Sequence, residues 1–212
     1  MHTAPAVENG VNLKPFNTFG LPCVAQTLVR VRSEADVKRV VNDRELGLAR
    51  KFILGGGSNL VFTQDIKAVV LKIEIPGIRL LETRSDAWII EAGAGVAWHA
   101  LVSWCLDHDL PGLENMALIP GTVGAAPVQN IGAYGLELKD RFESLDAVDL
   151  MTGRTVTFTR EHCQFDYRDS IFKRALAGRS VITTVRLRLP RPWAPMLGYA
   201  CLLYTSPSPR DS

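Results

Sequence analysis

Residues 118–135 carry no charged side chain, yet they hold Gly121, Gly124, Gly132 and Gly135 together with Pro120 and Pro127. Glycine and proline at this density do not suit a helix interior or the middle of a strand. An ordinary surface loop would be more polar. What remains is an irregular, mostly apolar backbone that has to lie against something. Small residues beside Gln129 and Asn130 suit a chain wrapped closely around a flat, partly polar ligand. The plainer alternative is a buried irregular connection.

A second glycine cluster, Gly55-Gly56-Gly57-Ser58-Asn59, follows the apolar run Phe52-Ile53-Leu54. Strand followed by glycine loop lets backbone N–H groups approach a phosphate, because no Cβ stands in the way. The loop is not a Walker A motif, since no Gly-Lys-Ser/Thr follows at the required spacing. It is not a dinucleotide fingerprint either, because Leu60 stands where the third glycine belongs. Gly93-Ala94-Gly95-Val96-Ala97-Trp98 misses the same pattern at Trp98. Taken alone, each loop reads as a tight turn at the end of a strand.

The rest of the chain alternates helix and strand signals. Ser33 caps a helix whose apolar face is Val37, Val40 and Val41, weakened near its end by Gly47. Trp98, Leu101, Val102, Cys105 and Leu106 share one face of a second helix, which Pro111-Gly112 should stop. Strands are expected at 69–73 and 88–92, and a hairpin at 147–158 around Met151-Thr152-Gly153-Arg154. Residues 181–189 alternate as a strand with one more apolar face, carrying Val181, Val185, Leu187 and Leu189, and one mixed face. This is an α+β or mixed α/β pattern in two lobes.

Formal net charge is +2, which gives no pull toward nucleic acid or membrane. The first residues have neither the basic nor the apolar segment of a signal peptide, and no apolar run reaches membrane-spanning length. Cys23, Cys105, Cys163 and Cys201 are scattered, so buried free thiols in a reducing compartment are expected, and the histidines show no metal-ligand spacing. The expectation is a cytoplasmic protein without a structural metal.

Several motifs in order then carry a resemblance: Asn17-Thr18-Phe19-Gly20, the glycine loop at 55–59, Pro111-Gly112-Leu113-Glu114, Ile119-Pro120-Gly121-Thr122-Val123-Gly124, Gln129-Asn130-Ile131-Gly132-Ala133-Tyr134-Gly135 and Tyr167-Arg168-Asp169-Ser170-Ile171-Phe172-Lys173. Together they resemble the UDP-N-acetylenolpyruvoylglucosamine reductase family, over about residues 17–199. The resemblance implies a bacterial, cytoplasmic oxidoreductase of peptidoglycan precursor synthesis. It implies FAD bound between two α+β lobes of the vanillyl-alcohol-oxidase (PCMH) type, NADPH as hydride donor and a nucleotide-sugar substrate. Gly55, Gly56, Gly57, Ser58 and Asn59 are then expected at the pyrophosphate. Ile119, Gly121, Gly124, Ala125, Ala126, Ile131 and Ile182 are expected at the flavin, Arg168 in catalysis and Tyr199 over the substrate.

The implied layout is an N-terminal extension at 1–16 and a flavin domain at 17–192 with lobes at about 17–79 and 80–192. The start of a linker follows at 193–199, and a non-native tail at 200–212. The family's serine proton donor and assisting glutamate have no matching motif, so the C-terminal substrate domain is expected to be missing and this chain inactive. Ser170 belongs to the arginine motif and reads as a local backbone-bonding residue. Two alternatives stay open: a flavin-binding module without catalysis, and a sugar or alcohol oxidase of the same flavin fold.

Overall fold

The computed structural model describes residues 5–198; Tyr199 and the expected tail at 200–212 lie outside them. The first sheet contains β1 (Val7–Asn12), β2 (Val24–Val31), β3 (Lys51–Leu54) and β4 (Ile66–Ile73). Its spatial order is β1-β2-β4-β3, with β4 parallel to both neighbours and β1 antiparallel to β2. Helix α1 (Glu34–Asn42) makes the crossover after β2. It starts as the sequence suggests: Ser33 Oγ accepts the Asp36 N–H at 3.2 Å, while Asp36 reaches back to accept the Arg32 N–H at 3.0 Å. It ends at Asn42, well before Gly47, because the Asp43 carboxylate takes the N–H groups of Glu45 and Leu46 into a new turn.

The second sheet contains β5 (Ile78–Thr83), β6 (Ala87–Gly93), β9 (Phe142–Asp149), β10 (Thr155–Thr159) and β11 (Ser180–Pro190). All its pairings are antiparallel, in the order β10-β9-β11-β6-β5. Between them in sequence, β7 (Gly132–Ala133) and β8 (Leu136–Glu137) form a small separate ribbon. Helix α2 (Trp98–Asp107) lays Trp98, Leu101, Val102 and Cys105 on this sheet against Ile90, Leu145, Val185 and Leu187. Each such side chain contributes about 1.5–3 kcal/mol by leaving water. The helix stops ahead of Pro111: His108 closes the last turn, Asp109 takes a φ of 56°, and the Leu110 N–H returns to Cys105 O at 2.9 Å. Helix α3 (Arg160–Cys163) is a single turn after β10.

A second core joins the two sheets. Val29, Val31, Val37 and Val40 meet Ala94, Val148, Leu150 and Val181 there. Four features depart from the sequence reading. The first sheet begins at Val7, inside the stretch set aside as an extension, and Leu13 behind it is fully buried. Strand β2 had no assignment, and β5 of the second sheet already starts at Ile78, inside the expected first lobe. On β11, a register shift against β9 between Ile182 and Thr184 inverts the alternation. Ile182, read on the mixed face, therefore shares a core with Val185, Leu187 and Leu189, whereas Val181 turns toward the first sheet.

Cys23, Cys105 and Cys163 are buried and free. Burial pushes the thiols of Cys105 and Cys163 up to about 12, so both stay protonated at neutral pH. An aromatic disulfide reagent at pH 8 should therefore leave these three unmodified in the folded chain and label them on unfolding in guanidinium. Fast labelling of Cys105 or Cys163 in the native state, located by peptide mapping, would contradict this packing.

Candidate cofactor site

Strand β3 delivers Leu54 into the core, and the chain then opens into the glycine loop. Gly57 has a φ of 67°, and a Cβ on it would fall 2.0 Å from the Phe16 carbonyl oxygen. The Asn17 motif builds the floor at this point. Asn17 Nδ2 donates to Leu13 O at 2.9 Å and to Leu21 O at 3.0 Å, its Oδ1 accepts the Leu21 N–H at 2.9 Å, and Thr18 N–H reaches Gly57 O at 3.3 Å. From below, Lys72 Nζ donates to Gly55 O at 2.5 Å. Burial lowers the pKa of that lysine, and Glu74 partly offsets the effect.

Residues 120–129 face this loop from the other lobe. They are tied to the second sheet and α2 through Trp98 N–H to Gly121 O at 3.0 Å and Gly124 N–H to Ala94 O at 2.9 Å. The two loops nearly touch. A Cβ on Gly56 would lie 3.1 Å from Gly121 Cα, and Asn59 Nδ2 donates to Gln129 Oε1 at 3.0 Å. Between them lies a cleft of about 580 Å³. That size suits an organic cofactor.

The lining chemistry is selective. Among the described residues, the N–H groups of Gly56, Gly57, Ser58 and Asn59 donate to no hydrogen bond. Arg50, Lys51 and Lys173 line the cleft, and among the described residues no Asp or Glu does. Burial lowers the pKa of Lys51, whose Nζ donates to the Gly47 carbonyl. Ser180 Oγ is buried in this lining without a partner. Free N–H groups, unopposed cations and an orphaned hydroxyl fit an anionic ligand with further polar edges. Ala125, Ala126, Ile131 and Ile182 add flat apolar wall. A diphosphate-containing flavin nucleotide satisfies all of these features.

Of the residues expected from sequence, Gly55, Gly56, Gly57, Ser58, Asn59, Gly121, Gly124, Ala125, Ala126, Ile131 and Ile182 line this cleft. Ile119 does not; its half-buried side chain packs against the core around α2. Arg168 lies in a neighbouring cleft of about 460 Å³ with Asn130, Gly132, Tyr134 and Tyr167. It is exposed, its φ is 53°, and its Nη2 donates to Gly132 O at 3.2 Å. Tyr199 lies outside the described residues. Sequence reasoning missed Arg50, Lys51 and Ser180, which face the cleft only through folding, and gave no role to Lys173, although it closes the Arg168 motif. Gln129 stood inside a quoted motif, and its adjacent amide was the available signal.

A family profile described as an FAD binding domain matches residues 25–159. The UDP-N-acetylenolpyruvoylglucosamine reductase of Azoarcus sp. (strain BH72) is 53% identical over 206 residues, covering 94% of this chain and 59% of that protein. The same-named protein of Burkholderia ambifaria (strain MC40-6) is 53% identical over 188 residues, covering 89% of this chain and 54% of that protein. The chain thus spans little more than half the length of these relatives. Among solved structures, the UDP-N-acetylenolpyruvylglucosamine reductase of Thermus caldophilus superposes with a TM-score of 0.69 at 27% identity, over 94% of this chain and 66% of that one. Cholesterol oxidase from B. sterolicum superposes with a TM-score of 0.60 at 18% identity, over 88% of this chain and 38% of that one, a likeness of fold alone. The two sheets and the cleft between their loops form the two-lobed α+β flavin fold of the vanillyl-alcohol-oxidase type, and the chain belongs to the FAD binding domain family.

Proposed function

We propose that this chain is the flavin-binding part of a UDP-N-acetylenolpyruvoylglucosamine reductase, which reduces UDP-N-acetylglucosamine enolpyruvate to UDP-N-acetylmuramate with NADPH in peptidoglycan precursor synthesis. The observation that carries the reading is the glycine-walled, cation-lined cleft, held between two loops whose sequences are those of the reductase motifs. When bound, FAD supplies hydride transfer from NADPH to the enolpyruvyl group. The chain's own residues do the rest. The N–H groups of residues 56–59 hold the diphosphate, with Arg50 and Lys51 adding positive charge along the wall. Ala125, Ala126, Ile131 and Ile182 exclude water from one face of the ring system. Arg168 keeps one donor on Gly132 O and offers the others to the substrate carboxylate. As hydride adds to the enol carbon, negative charge grows on that carboxylate, and a guanidinium fork stabilises it. No helix among the described residues is long and apolar enough to cross a membrane.

The test is a fluorescence titration of the purified chain with FAD. One flavin per chain should bind, more weakly at 0.5 M than at 0.05 M salt because cations face the phosphates. All of it should be released on acid precipitation, since among the described residues no His or Cys lines the cleft. Absence of binding would overturn the reading. Flavin that stays with the precipitate would instead favour a tethered oxidase.

A further inference from the structure

Residues 128–132 form a wall shared by the two clefts. Val128, Gln129 and Ile131 line the first, while Asn130 and Gly132 line the second. The turn that carries Arg168 is fastened to this strip at alternate residues. Ser170 Oγ donates to Val128 O at 2.7 Å, Asn130 Nδ2 donates to Asp166 O at 3.1 Å, and Arg168 Nη2 donates to Gly132 O at 3.2 Å.

Asn130 is the centre of this arrangement and only 1% exposed. Its Nδ2 also donates to Glu137 Oε2 at 3.0 Å, and its Oδ1 accepts the Lys139 N–H at 3.0 Å. Three sides of the second cleft therefore meet on one amide. A buried amide bonded on both atoms cannot shift without breaking bonds in a low-dielectric setting. Its backbone is left-handed, with φ 43° and ψ 62°, and Tyr134 and Arg168 around the same cleft also have positive φ. Non-glycine residues keep such conformations only where their surroundings over-determine them.

We propose that Asn130 is a positioning residue whose side-chain amide transmits filling of the first cleft to the Arg168 turn. A ligand packed against Gln129 and Ile131 restrains the strip, and the amide passes that restraint to Asp166 and to residues 137–139. Arg168 is thereby set when the cofactor is in place. The proposal rests on the flavin reading of the first cleft.

Hydrogen–deuterium exchange of the whole chain, with and without FAD, tests it. In the unsubstituted chain, FAD should slow exchange at 55–59, at 128–132 and, in the Arg168 turn short of the cleft-lining Phe172 and Lys173, at 164–169. Asn130→Gly keeps the left-handed backbone and removes the amide. Asn130→Asp keeps the size and the acceptor for Lys139, removes both donors and sets a carboxyl against Glu137, so a melt is recorded beside the exchange to confirm that the variant is folded. In both variants, protection by FAD should persist at 55–59 and be lost at 164–169. Undiminished protection at 164–169 would overturn the proposal. So would its loss together with that at 55–59, or unfolding of both variants, because Asn130 would then serve the cofactor cleft or the fold as a whole. FAD protection absent everywhere in the unsubstituted chain would overturn the flavin reading itself, and this inference with it.

Discussion

Replacing Gly57 with valine should abolish flavin binding in a chain that still folds. The left-handed φ of 67° is one that a β-branched residue rarely adopts. Holding such a residue there costs about 1–3 kcal/mol. The larger effect is steric. The new Cβ would stand 2.0 Å from Phe16 O and 3.0 Å from Asn17 Cα, and both belong to backbone held in place by the Asn17 side chain. The loop has to move, and its N–H groups move with it. A loss of at least about a hundredfold in affinity is expected, at about 1.4 kcal/mol for each tenfold. Fluorescence titration reads the affinity, and a circular dichroism melt confirms that the chain is folded. A folded variant with undiminished FAD affinity would remove this loop from the cofactor site.

Arg168→Ala should separate the two halves of the proposed reaction. The measurement uses a chimaera that joins this chain to the part of the Azoarcus relative it does not match. The side chain lies in the second cleft and touches none of the first cleft's lining in its hydrogen bonding, so flavin content and NADPH oxidation rate should hold. Transfer to the enolpyruvyl group should slow by about a hundred- to a thousandfold, the usual loss when one donor to a developing charge is removed. Single-turnover mixing of reduced enzyme with substrate reads that step directly. A variant that loses flavin but keeps the transfer rate would assign Arg168 to the cofactor instead.

Local chemistry was legible in the sequence wherever neighbours along the chain decide the outcome. Ser33 names the start of α1, and the spacing of Trp98, Leu101, Val102 and Cys105 names the buried face of α2, although Leu106, expected on the same face, is exposed near the helix end. The turn at Gly153 names the hairpin of β9 and β10, where Gly153 takes a φ of 68°. The uncharged, glycine- and proline-rich stretch at 118–135 pointed to a ligand, whereas the glycine loop after β3 read by itself only as a tight turn. The ordered motifs then gave the cofactor class through resemblance.

Other features were decided only by tertiary contact. Strand β1 has a mostly exposed side-chain pattern and exists because β2 offers it a ladder. The inversion of β11 at Ile182 depends on a register shift against β9, and no alternation pattern within β11 can show a partner's register. Ser180 and Lys173 reach the cleft from segments far from the first glycine loop, and Arg50 and Lys51, just ahead of that loop, face the cleft only because β3 is docked beside β4. Asn130 was one residue in a motif until its amide was seen to join Asp166, Glu137 and Lys139. Neighbours along the chain were enough to place the start of α1, most of the buried face of α2 and the two glycine-rich loops that meet at the cleft. The tertiary structure alone decided which cations face those loops and which buried amide joins the two clefts. Capping and periodicity act within a few residues of chain, whereas the electrostatics of a cleft and the bonding of a buried amide depend on groups that only the fold brings within about 3 Å.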